Sequence, residues 1–154
     1  MTEIGRLVTA MVTPFDGEGK VDYDQAKRLA GALLESGSDD LVVVGTTGES
    51  PVLSPDEQYR MFVEVVGAIE GRGSVIAGAG SNNTHEAIKY TKDAERAGAH
   101  AALHVVPYYN KPTQEGLFRH FKSIAENTSL PVILYNVPSR TITNLAAETT
   151  LRLS

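Results

Sequence analysis

The chain has 154 residues, 42% hydrophobic and 21% charged, with a formal net charge of −5. That balance fits one folded domain with room for a core and excludes a disordered chain. Lys and Arg are scattered without a basic cluster, which argues against nucleic acid or a membrane surface as partner, and the lack of cysteine excludes disulfides, thiol catalysis and cysteine metal sites.

The opening, Met1-Thr2-Glu3-Ile4-Gly5-Arg6, has no basic start before an apolar signal core. No apolar run approaches the roughly 20 residues of a membrane span. The expected location is cytoplasmic. Arg6 to Thr13 predicts a first strand with Leu7, Val8 and Val12 as its apolar positions, closed by Thr13-Pro14-Phe15 and the turn Asp16-Gly17-Glu18-Gly19. Asp22 is placed to N-cap a helix, with Gln25 at the capping-box position. That helix carries Ala26, Leu29, Ala30, Leu33 and Leu34 at helical spacing and stops at Gly37.

Leu41-Val42-Val43-Val44 is a short apolar run of the kind buried on both faces of a parallel sheet. The polar loop Gly45-Thr46-Thr47-Gly48-Glu49-Ser50 follows. Its glycines let backbone approach a ligand, and its paired threonines can each donate and accept a hydrogen bond. Ser54-Pro55-Asp56-Glu57 then starts a second helix, with Ser54 as N-cap, Pro55 at the first position and Glu57 closing a capping box. Tyr59, Phe62, Val63, Val66 and Ile69 are its expected buried face, and Glu49 is expected to fix the loop by accepting N–H bonds.

A third strand, Ser74–Ala77, runs into Gly78-Ala79-Gly80-Ser81-Asn82-Asn83, and Asn83 with Glu86 caps a third helix burying Ala87, Ile88, Thr91, Ala94 and Ala97. A fourth strand, Ala101–Val106, opens onto Pro107-Tyr108-Tyr109-Asn110. The next helix packs with Leu117, Phe118, Phe121, Ile124 and Ala125. The fifth strand, Val132–Tyr135, leads into Asn136-Val137-Pro138-Ser139-Arg140-Thr141, and a fifth helix is expected from near Asn144.

Strand starts recur about every 30 residues, the length of a βα unit, with no linker between them. One domain over 1–154 is expected, with a parallel sheet. Thr13, Thr46, Thr47, Asn82, Tyr108, Tyr109, Tyr135 and Arg140 all lie after strands. That one-sided placement predicts an α/β fold of the (β/α)8 TIM-barrel kind, with about five units present. A doubly wound sheet usually carries G-x-G-x-x-G in its first turn; Gly78-Ala79-Gly80 supplies two glycines but position 83 is Asn. His85, His100, His104 and His120 lack metal-ligand spacing, so no metal site is expected.

Gly45-Thr46-Thr47-Gly48-Glu49-Ser50, Pro107-Tyr108-Tyr109-Asn110 and Tyr135-Asn136-Val137-Pro138-Ser139-Arg140-Thr141 resemble the dihydrodipicolinate synthase / N-acetylneuraminate lyase family of class I aldolases. The resemblance covers the whole chain but about the first half of such a protein, and Thr46-Thr47 and Pro138-Ser139-Arg140 look like the synthase branch. It implies a lyase without cofactor. A lysine forms a Schiff base with pyruvate, and the resulting enamine attacks aspartate-β-semialdehyde in lysine and diaminopimelate synthesis. It implies Tyr135 as general acid/base, Thr46 as the link between Tyr135 and Tyr109, Tyr109 reaching a neighbouring subunit's site, Thr47 on the pyruvate carboxylate, and Arg140 on the aldehyde's carboxylate. It also implies a homotetramer built as a dimer of dimers, and a regulatory lysine site at Ser50, Asn82, Glu86 and Tyr108, with Pro55 and Gln58 where sensitive relatives have histidines. The family's Schiff-base lysine lies on the sixth strand. The six lysines here, Lys20, Lys27, Lys89, Lys92, Lys111 and Lys122, all fall outside buried strands, so this chain alone is expected to be inactive. Two other readings stay open: a sibling pyruvate aldolase, and a non-catalytic half-barrel. Residue by residue there is also a plainer alternative. The threonines can serve as local loop bonds, the tyrosines as rim or interface packing, and Arg140 as a turn residue.

Overall fold

Runs of β-branched and small apolar residues form five strands: β1 (Val8–Ala10), β2 (Asp40–Val43), β3 (Val75–Gly78), β4 (Ala101–Val105) and β5 (Val132–Tyr135). In the computed structural model, which describes residues 4–154, they make one parallel sheet in the order β1-β2-β3-β4-β5. The reading of Met1, Thr2 and Glu3 as free of a signal lies outside the described residues. Strand order equals chain order, whereas a doubly wound sheet reverses at a switch point. Successive crossovers of one hand then stack the helices on one face of the sheet, the arrangement of a (β/α)8 barrel.

Those helices are α1 (Tyr23–Glu35), α2 (Pro55–Ile69), α3 (Thr84–Arg96), α4 (Gln114–Ala125), the single turn α5 (Pro138–Thr141) and α6 (Ala147–Leu153). The register sets Leu41 beside Val75 and Val43 beside Ala77. These four share a core with Ala26 and Ala30 of α1 and with Met61, Phe62, Val65 and Ile69 of α2. A second cluster, Ala87, Val106, Leu117, Phe121, Ile124 and Leu145, lies under α3 and α4. Alternate strand residues such as Val42, Leu103 and Ile133 face the other way and are only half-buried.

Local signals act where expected. Asp22 accepts from Gln25 N, though the Gln25 side chain binds Arg28 and closes no box. Ser54 and Glu57 form a complete capping box. Asn83 accepts from His85 N and Glu86 N, while the Glu86 carboxylate accepts from Ser81. Several faces differ from expectation. The first strand is shorter than the expected stretch from Arg6 to Thr13: β1 covers Val8–Ala10, so Leu7 and Val12 lie outside it and are exposed, while Met11, just past its end, is buried. In α2 Val63 is exposed while Gln58, Met61 and Val65 are buried; in α4 Ala125 is exposed while His120 is buried. The helix expected from near Asn144 starts at Ala147 as α6; the single turn α5 before it was not expected, and it ends where Ile142 takes a left-handed φ of 56°.

Candidate active site

β2 ends at Val43, and the next residue, Val44, is a buried β-branched residue with a left-handed φ of 59°. Such a backbone is strained for valine and survives only where its surroundings enforce it. It drives the Val44 carbonyl against the Cα of Gly78 on the next strand, where any Cβ would collide with it. The chain then turns into Gly45–Ser50. Thr13 Oγ1, buried, donates to Gly48 O at 2.7 Å and pins the loop to the end of β1. Gly48 N and Ser50 N donate to Gly45 O, and Glu49 N donates to Thr46 O. No such bond uses the N–H groups of Thr46 and Thr47 among the described residues, and both threonines are exposed. The loop therefore presents two free backbone donors and two hydroxyls at the C-terminal rim. Glu49 does not fix the loop by accepting N–H bonds as expected; it takes a left-handed φ of 54° instead.

Tyr135, at the tip of β5, faces the same rim. It lines a cleft of about 50 Å³ with Val44, Gly45, Thr46, Ser50, Gly78, Gly80, Leu103 and Val105. The sheet thus brings Thr46 and Tyr135, 89 positions apart in the sequence, onto one cleft. Tyr109 is not drawn in: it is 90% exposed, with a left-handed φ of 72°, and its ring projects from the rim. Among the described residues no hydrogen bond joins Tyr135, Thr46 and Tyr109. Arg140 sits exposed on α5, and neither it nor Thr47 lines the cleft.

A second, more polar cleft of about 130 Å³ opens beside the first, sharing Ser50, Gly78 and Gly80. Glu86 and Tyr108 line it too, so three of the four residues read as a regulatory site converge there. The fourth, Asn82, donates from Nδ2 to Tyr108 O at 3.2 Å and accepts at its own carbonyl from Asn110 Nδ2 at 3.1 Å, which locks the two loops together. Gln58 lines the same cleft and donates to Ser50 O and Leu53 O. Sequence reasoning missed Tyr90, whose phenol is held above its usual pKa by burial and then by the charges of Glu86 and Tyr108, so it stays protonated. Its signal was its place four residues after Glu86, on the same face of a helix. Among the described residues no group of three or more His, Asp or Glu is placed to hold a metal ion, and no helix is long and apolar enough to cross a membrane.

A model of the dihydrodipicolinate synthetase family matches residues 3–154. A 4-hydroxy-tetrahydrodipicolinate synthase of Dehalococcoides mccartyi (strain 195) is 62% identical over all 154 residues, which cover 52% of that relative. The Bacillus subtilis (strain 168) protein of the same name is 57% identical over 150 residues, again 52% of its length. The chain spans about half the length of the curated relatives it matches. A crystal structure of a dihydrodipicolinate synthase from Bacillus anthracis superposes with TM-score 0.97 at 49% identity, covering 99% of this chain and 52% of that one. A structure from Cyanidioschyzon merolae with lysine bound superposes with TM-score 0.95 at 50% identity, covering 97% and 51%.

Proposed function

The chain belongs to the dihydrodipicolinate synthetase family, and on that premise we propose that it serves a 4-hydroxy-tetrahydrodipicolinate synthase, condensing pyruvate with aspartate-β-semialdehyde through a lysine Schiff base. The observation that carries this reading is the shared cleft of Thr46 and Tyr135 at the strand ends, beside two free N–H donors. A pyruvate carboxylate laid across the loop would accept from Thr46 N and Thr47 N and from the Thr47 hydroxyl. Its ketone would then lie toward Tyr135. None of the cleft-lining residues is a lysine, so the amine comes from outside these 154 residues.

The lysine amine adds to the ketone carbon and water leaves, giving the Schiff base. Loss of a methyl proton gives the enamine, whose carbon attacks the second substrate's aldehyde. Protons must be moved at each addition, and Tyr135 is the titratable group at the cleft. A phenol hydroxyl passes protons at neutral pH only with help, and the Thr46 hydroxyl is the neighbour that shares the cleft. Arg140 offers a planar fork suited to the aldehyde substrate's carboxylate. The exposed Tyr109 ring is suited to reach into a neighbouring copy, in keeping with a homotetramer. The reaction needs no metal or organic cofactor.

The polar cleft supports a regulatory reading of the same family. Glu86 gives a carboxylate for an ammonium group, while Tyr90, Tyr108 and Ser50 give hydroxyls. It suits a free amino acid such as lysine, and a bound lysine is reported in the Cyanidioschyzon merolae relative. Pro55 opens α2 and the Gln58 amide is already engaged with the backbone, so any inhibition by lysine is expected to be weak.

Borohydride trapping tests the main reading. Pyruvate and borohydride given to the complete enzyme should leave one covalent adduct on a lysine outside residues 1–154. A stoichiometric adduct on Lys111 or another lysine of this chain would overturn the site as drawn. If an N-acetylmannosamine or sugar-derived aldehyde is the preferred acceptor, the enzyme is a sibling aldolase.

A further inference from the structure

Two histidines that take no part in the chemistry above lie buried between α3, β4 and α4: His104 at 0% exposure and His120 at 5%. Each has one ring nitrogen engaged and one without a protein partner, His104 Nδ1 and His120 Nε2. Orphaned buried polar atoms are uncommon and call for a partner.

The engaged nitrogens fix the missing half. Thr91 Oγ1 donates its single proton to Ala87 O at 2.6 Å. Its contact with His104 Nε2, at 3.2 Å, therefore requires the proton on the histidine. A neutral imidazole protonated at Nε2 leaves Nδ1 as a bare acceptor. At the other end Thr84 Oγ1 lies 2.9 Å from His120 Nδ1. If Thr84 donates there, His120 carries its proton at Nε2, and that N–H is the donor the bare His104 nitrogen lacks. Thr84 and Thr91 lie on the same helix, α3, and the charge of His120 acts on His104, so the two imidazoles are neighbours.

We propose that Thr84, His120, His104 and Thr91 form one directional, buried hydrogen-bond relay, completed by an internal water that accepts from His120 Nε2–H and donates to His104 Nδ1. Every O–H and N–H of the four side chains then has an acceptor, ending at Ala87 O. The ligand of this site is water: the two unpartnered nitrogens are polar, buried and on neighbouring elements. The relay clamps α3 and α4 onto β4. These elements carry the loops of Asn82, Tyr108 and Tyr109, so the four residues are positioning residues for the rim rather than catalytic ones.

The test uses the complete enzyme, with ¹⁵N-labelled histidine. Long-range ¹H–¹⁵N spectra should show both His104 and His120 protonated at Nε2, with a water cross-peak to the His120 Nε2 proton. An Nδ1–H tautomer at either residue, or no water contact, overturns the relay. A mutant cycle adds a second reading. His104→Leu and His120→Phe should each raise the unfolded fraction, and the double variant should be about tenfold less unfolded than the two effects multiplied, within the range for contacting groups. Simple multiplication of the two effects would also overturn it. If a variant fails to fold, the tautomer measurement on the unaltered chain still decides.

Discussion

Tyr135 reaches the cleft because β5 is four residues long and ends in it, so its phenol is set by the sheet rather than by a flexible loop. In the proposed enzyme Tyr135→Phe keeps the ring and removes the proton carrier. Turnover should fall by about 10²–10⁴-fold with pyruvate binding little changed, since general acid–base groups typically contribute that much. Steady-state kinetics beside pyruvate titration would show it, and near-normal turnover would make Tyr135 a packing residue. His104 and His120 make a different claim on pH. Burial lowers both to about 4 from an ordinary 6.5, His104 being lowered further by His120. A depressed histidine pKa means the unfolded state takes up protons first. Stability is therefore full above about pH 6.5 and is lost as pH falls toward 4. Each shift corresponds to about 3 kcal/mol as an upper bound. Replacing both histidines by apolar residues should flatten the acid limb of a melting-temperature profile between pH 4 and 6.5. An unchanged acid limb would show that both titrate normally.

α6 depends on its neighbour more than on itself. Its N-cap is Ala146, which has no side chain to cap with. Gln114, the first residue of α4, does the work instead. It accepts from Ala146 N at 3.1 Å and Thr149 Oγ1 at 2.7 Å, and donates to Asn144 O at 2.7 Å. Arg152 of α6 adds a bond to Glu115 at 2.9 Å and lies 4.0 Å over the Phe118 ring, though an exposed ion pair contributes little. Gln114→Ala should release α6 locally at a cost of about 0.5–2 kcal/mol, the range for a lost helix cap. Amide hydrogen exchange should rise in 147–153 well before α2, whose capping box is self-contained. Equal exchange in both helices would disprove the dependence.

At the scale of the whole molecule, both β1 and β5 are edges. Unpaired strand edges invite pairing with other chains. Ile142 and Leu151 are exposed to 70% and 76%, and the sheet face away from the core is only half-covered. A polypeptide of these 154 residues prepared alone should self-associate as its concentration rises. Sedimentation velocity across a concentration series would detect this, and a strictly monomeric, sharply folded species would show the edges to be harmless.

The sequence by itself determined the local and periodic features. Apolar runs fixed five parallel strands, β5 to the residue; Ser54–Glu57 and Asn83 fixed helix starts; the loops after the strands carry the polar and aromatic residues of one rim. These are properties of neighbouring residues, so short-range physics suffices. The phase of α2 was not legible, because apolar residues lie on most of its circumference and only contact with β2 and β3 selects Met61 and Val65 over Val63. Nor was the buried state of His104 and His120, since a polar residue's burial depends on what packs over it. The left-handed Val44 was hidden for the same reason, as strain at a valine persists only through tertiary constraint. Tertiary structure alone decided that Thr46 and Tyr135 share a cleft while Tyr109 points outward, because closeness across a sheet is set by strand register and not by distance along the chain.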